Sequence, residues 1–415
     1  MKASPKQAVR PLAVLIAGVI AAVVAIVVIV VLQGRNEGTS PTTARPLVDT
    51  PTAAAKYAAR TICDGAPAQP ANHLPLISVI PGGINLAPAV EPKPAFGVQF
   101  HGTWSNYSDA QRTAVLDRLA EAGVGWVRID MGWASFQADG PGSSSQWYVD
   151  RVDGLVNGAR ARGIRVLGTL WMTPGWANGD QGTRVPPTDD ASYARMARWA
   201  AEHFRGRVSA WEVWNEPNLT DFFVGDAARY THLLRTAYPA FKAGDPDAAV
   251  VLGGPVNNDT TWLADVYRAG AQGSFDIMAT HPYQGPSDLP PEAPDNGTIW
   301  RLSHVAAVHD LMAANGDAAK PIWFTEFGWS SHDNDASTPT WARGVTQQEQ
   351  GDYLVRTLAY VSTNFPYVTN LFWYNERDNT GGDAQYDNYG LLSAGLEPKP
   401  AFRRAELWCL ATARG

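Results

Sequence analysis

The chain has 415 residues, 45% of them hydrophobic and 18% charged, with a formal net charge of −7. That balance excludes a disordered chain, and the absence of Lys/Arg-rich runs beyond residue 35 argues against a protein that grips nucleic-acid phosphates. Two cysteines exclude a disulfide-built scaffold, and no C-x-x-C pair announces zinc or thiol redox chemistry.

Lys2, Lys6 and Arg10 precede an uncharged apolar run of 22 residues at 11–32. About 20 apolar residues cross a bilayer as a helix. The pattern predicts a cytoplasmic tail at 1–10 and a transmembrane signal anchor at 11–33. The charges ahead of the run place everything after Arg35 outside the cell. A cleaved signal peptide, with a secreted product, is the competing reading. Against it, the run exceeds the usual apolar core of about 7–15 residues, and QGRNEG offers no A-x-A-like site. Residues 34–94 are rich in Pro, Thr and Ala and read as an extracytoplasmic linker, with one short helix predicted at 53–62. Cys63 lies in this linker and Cys409 near the C-terminus. Outside the cytoplasm the two could form a disulfide tying linker to domain; two separate buried thiols are the alternative.

From residue 95 to 415 the chain alternates short apolar runs with longer stretches of helical periodicity. The strand candidates are 97–101 (GVQFH), 126–130 (WVRID), 166–171 (VLGTLW), 210–215 (AWEVWN), 250–254 (VVLGG), 275–281 (FDIMATH), 322–326 (IWFTE) and 370–375 (NLFWYN). Eight such units predict a (β/α)8 TIM barrel of α/β class. An open doubly wound sheet is the runner-up, but no G-x-G-x-x-G opens a helix after a strand. In a barrel the chemistry gathers at the C-terminal strand ends. His101, Arg128, Asp130, Asn215, Glu216, His281, Glu326 and Asn375 all fall at or near those ends. Trp171, Trp176 and Trp329 also follow or end strands, where they would either line sugar subsites or pack in core and loops.

Two carboxyls stand out. Glu216 follows strand four in WEVWNEPNL, where Pro217 stops the ladder, and Glu326 closes the apolar run of WFTEFGW. Glycosidic bond cleavage needs a carboxyl pair flanking the bond, and strands four and seven face each other across a barrel mouth. Glu212 lies inside its strand and reads as a structural partner.

WNEPN with the aromatic pair Phe222–Phe223, THPY, TEFGWSS and FWY together resemble glycoside hydrolase family 39 and its clan A relatives, with cellulase-like family 5 as a neighbour. The resemblance runs from about residue 95 to 411. It implies a retaining double displacement, with Glu216 as acid/base and Glu326 as nucleophile. It further implies that Asn215 holds the sugar 2-OH, that Arg128 keeps Glu326 ionised, and that Tyr283 hydrogen-bonds the same carboxylate. Glu216 should be protonated at rest, its pKa raised by a negative Glu326 nearby. Trp373 would be the floor of the sugar site, and His101 and His281 are further substrate-binding candidates or satisfied strand-end histidines.

The expected partner is a carbohydrate, bound by a monomer held to the membrane through its N-terminal helix. No metal or cofactor is expected, since H-E-x-x-H, G-x-S-x-G and P-loop patterns are missing. A transglycosylase remodelling surface polysaccharide, or a barrel that binds glycan without catalysis, would carry the same residues.

Overall fold

A computed structural model of the chain describes Cys63 and residues 94–412. The predicted anchor at 11–33 and the short helix at 53–62 lie outside the described residues. Among the described residues no helix is long and apolar enough to cross a membrane.

Eight parallel strands form one sheet: β1 Ala95–Gln99, β2 Trp126–Gly132, β3 Arg165–Trp171, β4 Ala210–Val213, β5 Ala249–Leu252, β6 Met278–Thr280, β7 Ile322–Phe327 and β8 Val368–Trp373. Their order is β5-β4-β3-β2-β1-β8-β7-β6. The ring closes between the end strands, where Val251 bridges Ile277 in parallel and Leu252 N–H donates to the Ile277 carbonyl at 3.0 Å. The (β/α)8 barrel expected from the alternating pattern is the fold. Boundaries differ by a few residues. β1 stops at Gln99, so His101 stands above it, and β4 stops at Val213, which frees Asn215 and Glu216 from the ladder.

The large outer helices are α1 Asp109–Glu121, α2 Trp133–Phe136, α3 Gln146–Ala161, α4 Gly175–Asn178, α5 Asp190–His203, α6 Ala227–Gly244, α7 Thr260–Arg268, α8 Val305–Ala314, α9 Gln347–Asn364 and α10 Pro400–Thr412. Their starts are written in the sequence. Ser108 with Gln111 and Thr346 with Glu349 form capping boxes on α1 and α9, and the Asp226 and Asp259 side chains cap α6 and α7. Each satisfies backbone N–H groups that the first helical turn leaves over, worth about 1 kcal/mol apiece.

Strand residues alternate between the barrel interior and the helix layer. The lower interior is apolar: Trp126, Leu167, Ala210, Trp323 and Phe372 belong to one buried cluster, with Trp126 edge-on to Trp323 at 5.2 Å. Gly97 is required here, because a Cβ would meet the Phe372 ring at 2.5 Å. One step up the pleat the interior turns polar. Gln99 pairs with Arg128 and Thr169 with Glu212, each two residues further along its strand than Gly97, Trp126, Leu167 and Ala210. This polar layer is the foundation of the mouth.

Cys63 and Cys409 are joined as a disulfide, with Cα atoms 5.2 Å apart. Cys63 also takes part in the sheet's lower rim, donating to the Gly123 carbonyl and accepting from Phe96 N–H. The crosslink thus pins α10 to the start of β1. Closing 346 residues of chain constrains the unfolded state strongly. Cys409→Ser is expected to lower unfolding free energy by about 2–4 kcal/mol in a denaturant titration. An unchanged midpoint would contradict that role.

Candidate active site

Arg128, on β2, is the hub. Its side chain is 1% exposed and all three of its nitrogens donate. Nε donates to Glu212 at 2.7 Å, Nη2 donates to Asn215 Oδ1 at 2.7 Å, and Nη1 donates to both Gln99 (2.8 Å) and Glu326 (2.7 Å). Asp130, on the same strand, makes no hydrogen bond to it and instead accepts from Gln99 Nε2 at 3.0 Å. Glu212 is the structural partner its interior position implied. It also accepts from Thr169 Oγ1 at 2.7 Å and from Gly254 N–H at 3.3 Å. Those contacts and Arg128 overcome the cost of burial and hold its pKa below the ordinary value.

Glu216 is set by a distorted strand end. Trp214 and Glu216 both have positive φ, 74° and 45°, a backbone region that costs non-glycine residues about 1–3 kcal/mol. Trp214 locks the turn, wholly buried with its indole N–H donating to the Phe222 carbonyl at 2.7 Å. Glu216 N–H donates to the Gly254 carbonyl at 3.2 Å. The side chain meets His281, whose Nδ1 lies 2.8 Å from Oε1. The other ring nitrogen is 3.0 Å from Thr325 Oγ1. Burial lowers the His281 pKa and favours the neutral ring. With its proton on Nε2, that ring accepts at Nδ1 from a protonated Glu216.

Glu326, the penultimate residue of β7, lies inside the same mouth. Tyr283 O–H donates to its Oε2 at 3.0 Å, while Arg128 holds Oε1. One ligand atom each from Glu216, His281 and Glu326 lie within 4.8 Å of one another. Three such groups would suit a metal ion by residue type. The guanidinium already 2.7 Å from Glu326 supplies positive charge at that place, so a cation would be repelled from it.

The two glutamates differ in their surroundings. Burial pushes Glu216 up to about 7, reinforced by the Glu212 charge and opposed by Arg128 and Arg184. The expectation attributed this rise to Glu326; desolvation is the larger cause. Burial also raises Glu326, but the Arg128 charge pulls it back. Arg128 therefore favours the ionised form without bringing it below the ordinary value.

The aromatic expectations need correction. Trp373 is wholly buried, its indole N–H donating to the Tyr389 carbonyl at 2.9 Å. It packs edge-on against Phe327 at 5.4 Å, so it is core and cannot be a floor for a sugar. Its neighbour Tyr374 is only partly buried and stands between His101 and Tyr389, 5.4 and 5.5 Å away. Trp329 is likewise a packing residue, 3% exposed and tied to the Leu289 carbonyl at 2.8 Å. Trp171 is 5% exposed, covered by Phe222 and Arg184.

His101 is held by Glu376, which accepts from both its backbone N–H and its ring Nδ1 at 3.1 Å and from Tyr107 O–H at 2.6 Å. Burial opposes charge on this ring, but Glu376 outweighs it and raises the pKa. Trp104 stacks on His101 at 4.0 Å. Glu376 went unnoticed in the sequence, although an acid closing an apolar strand is the same signal that marked Glu326. Gln99 and Thr169 carried no signal beyond the phase of their strands.

Fold and site together define a (β/α)8 barrel with two buried carboxyls meeting at its C-terminal mouth, the architecture of carbohydrate-cleaving barrels. Comparison with known proteins gives the family. The family model described as cellulase (glycosyl hydrolase family 5) matches residues 88–377, and the chain belongs to that family of enzymes. It is 30% identical over 194 residues to a probable glucan 1,3-beta-glucosidase A of Aspergillus niger, covering 43% of this chain and 44% of that one. It is 28% identical over 307 residues to a beta-xylosidase of Caldicellulosiruptor saccharolyticus, covering 68% of this chain and 60% of the relative. The chain thus spans less than two thirds of the length of either relative. A solved family 39 glycoside hydrolase from Bacteroides cellulosilyticus superposes with a TM-score of 0.61 and 25% identity, covering 76% of this chain and 63% of the other. The clan-level resemblance holds; the matching family model is family 5, the neighbour of the family 39 first suggested.

Proposed function

We propose that the protein is a retaining glycoside hydrolase that cleaves β-linked glucosides or xylosides, the sugars named for its relatives. One observation carries the reading. Two buried carboxyls approach within 4.8 Å, one raised to about 7 and the other gripped by an arginine. Retaining enzymes place their carboxyls about 5–5.5 Å apart, whereas inverting ones leave about 6.5–9.5 Å for a water.

Glu216 donates its proton to the leaving oxygen while Glu326 attacks the anomeric carbon from the opposite face. The bond from sugar to leaving group breaks as the bond to Glu326 forms. Glu216, now ionised, then takes a proton from water, which attacks the same carbon and releases Glu326. Arg128 and Tyr283 hold the Glu326 oxygens, and Arg128 also orients Asn215 toward the sugar 2-OH. Tyr374 replaces Trp373 as the ring offered to the sugar face.

The site sits on a domain spanning 95–415, which we place outside the cell on the linker at 34–94 and the anchor at 11–33. Fractionation of the producing cells, with alkaline extraction of membranes, tests that placement: release of the intact chain into the soluble fraction would refute it.

The acid role predicts a pH profile. Glu216 must be protonated, so kcat/KM falls as pH rises through about 7. It also falls in acid, as Glu326 takes up a proton. Glu216→Gln is expected to slow natural oligosaccharides by about 10²–10⁴-fold and to abolish the alkaline limb on activated aryl glycosides. Persistence of that limb in the variant would assign it to another group.

A further inference from the structure

We propose that Arg184 makes the leaving-group side of this site selective for a sugar bearing an oxyanion, a carboxylate or a sulfate ester. The inference rests on the glycosidase reading above.

Arg184 lies in the long loop between β3 and α5. Its guanidinium sits over two rings at once, 4.4 Å from the Trp171 centroid and 5.2 Å from that of Phe222. Trp171 ends β3, and Phe222 follows Glu216 in the next loop. The two loops are stapled together, since Val224 N–H donates to the Arg184 carbonyl at 2.9 Å. The fork is therefore held at the β3–β4 edge of the mouth rather than waving in solvent.

Among the described residues no carboxylate lies within ion-pair distance of this cation, although Asp130, Asp221 and Glu216 act on it from further off. Its Nη1 is buried without a hydrogen-bond partner. Arg128, the other arginine of this mouth, is by contrast paired with Glu212 and Glu326. Burial pulls the Arg184 pKa down to about 10, with only partial relief from Asp130, Asp221 and Glu216, so it stays charged at neutral pH. Stacking on aromatic faces fixes the plane of a guanidinium but leaves its in-plane donors unmet. A half-buried guanidinium with an unpartnered Nη1 is a receptor for a carboxylate or sulfate, which it binds by charge-assisted N–H···O bonds.

The side of the site follows from the reaction. The proton donor stands by the leaving oxygen, and the nucleophile by the anomeric carbon. Arg184 sits on the Glu216 side, since its guanidinium lies over Phe222 and its carbonyl accepts from Val224 N–H, both in the loop that follows Glu216. An anion seated on Arg184 thus belongs to the departing sugar. Trp171 and Phe222 then serve as the shelf that holds the fork, which accounts for the burial of Trp171.

Glucose, glucuronate and glucose 6-sulfate share a ring and differ in charge at C6. Their dissociation constants would be measured by titration calorimetry with the full chain, with Arg184→Gln and with Arg184→Lys. The expected result is that at least one anionic sugar binds roughly ten-fold or more tighter than glucose. That ratio falls to near one in Arg184→Gln and is partly kept in Arg184→Lys, which retains charge without the fork. Which anionic sugar gains more names carboxylate or sulfate as the natural group. Equal binding of all three, no measurable binding of the anionic pair, or an undiminished ratio in Arg184→Gln would overturn the inference. Hydrolysis of neutral aryl glycosides by the same samples separates the two readings. Cleavage without anionic preference sinks this inference alone. Anionic preference through Arg184 in a chain that cleaves nothing sinks the glycosidase reading and, with it, the assignment of the anion to a leaving group.

Discussion

Replacing Glu326 with alanine is expected to abolish turnover, lowering kcat by about 10⁴-fold or more, while leaving the protein folded. No other carboxyl holds its position: Arg128 and Tyr283 converge on Glu326, and Glu212 is engaged below it with Thr169 and Arg128. Added azide should restore turnover, because a small anion fits where the carboxylate was cut away, and the product should be a glycosyl azide of inverted configuration. Stability gives an independent reading. Burial raises the Glu326 pKa in the fold, so its ionised form costs stability above the pKa of the unfolded chain. The alanine variant should therefore unfold at pH 7 at the same temperature or higher. Loss of both activity and several kcal/mol of stability would instead make Glu326 one half of a structural ion pair.

The largest stability effect is expected from Arg128→Met. Two buried carboxylates, Glu212 and Glu326, would lose the cation that compensates them, together with hydrogen bonds to Gln99 and Asn215. Removing one partner from a buried ionic network costs about 3–5 kcal/mol, because uncompensated charge stays behind. The sign of the pH dependence follows. Without Arg128 both carboxyl pKa values rise in the fold, so the deficit is greatest where they are ionised and shrinks as pH falls and they protonate. Urea titrations at neutral pH and near pH 5 check this. A deficit below about 1 kcal/mol, or one independent of pH, would contradict Arg128 as the hub.

Much of this site was legible because a barrel leaves a simple trace. Buried strands are short apolar runs, and a charged residue ending one has no packing reason to be there. That rule found Glu216, Glu326, Arg128, His101 and His281, which the structure gathers at one mouth. The errors have a common cause in strand phase. Phe372 points into the barrel beside Gly97, so Trp373 points outward to the helix layer and Tyr374 inward. A large ring near the strand end suggests a sugar floor at Trp373, but alternation along NLFWYN favours the tyrosine. Trp329 failed similarly, being a large aromatic near a strand end that the loops then covered. Arg184 could not be read at all. Its place depends on how two long loops fold over Trp171, and no periodicity encodes that.

The configuration of the first-formed product tests the central claim most directly. The full chain would be given a panel of β-linked aryl glycosides and oligosaccharides, and the cleaved substrate followed by proton NMR before the anomers equilibrate. Two carboxyls within 4.8 Å predict a β-anomer at the earliest times, with the α-anomer appearing only by slow mutarotation. An α-anomer formed first would show single displacement by water and contradict the roles given to Glu216 and Glu326.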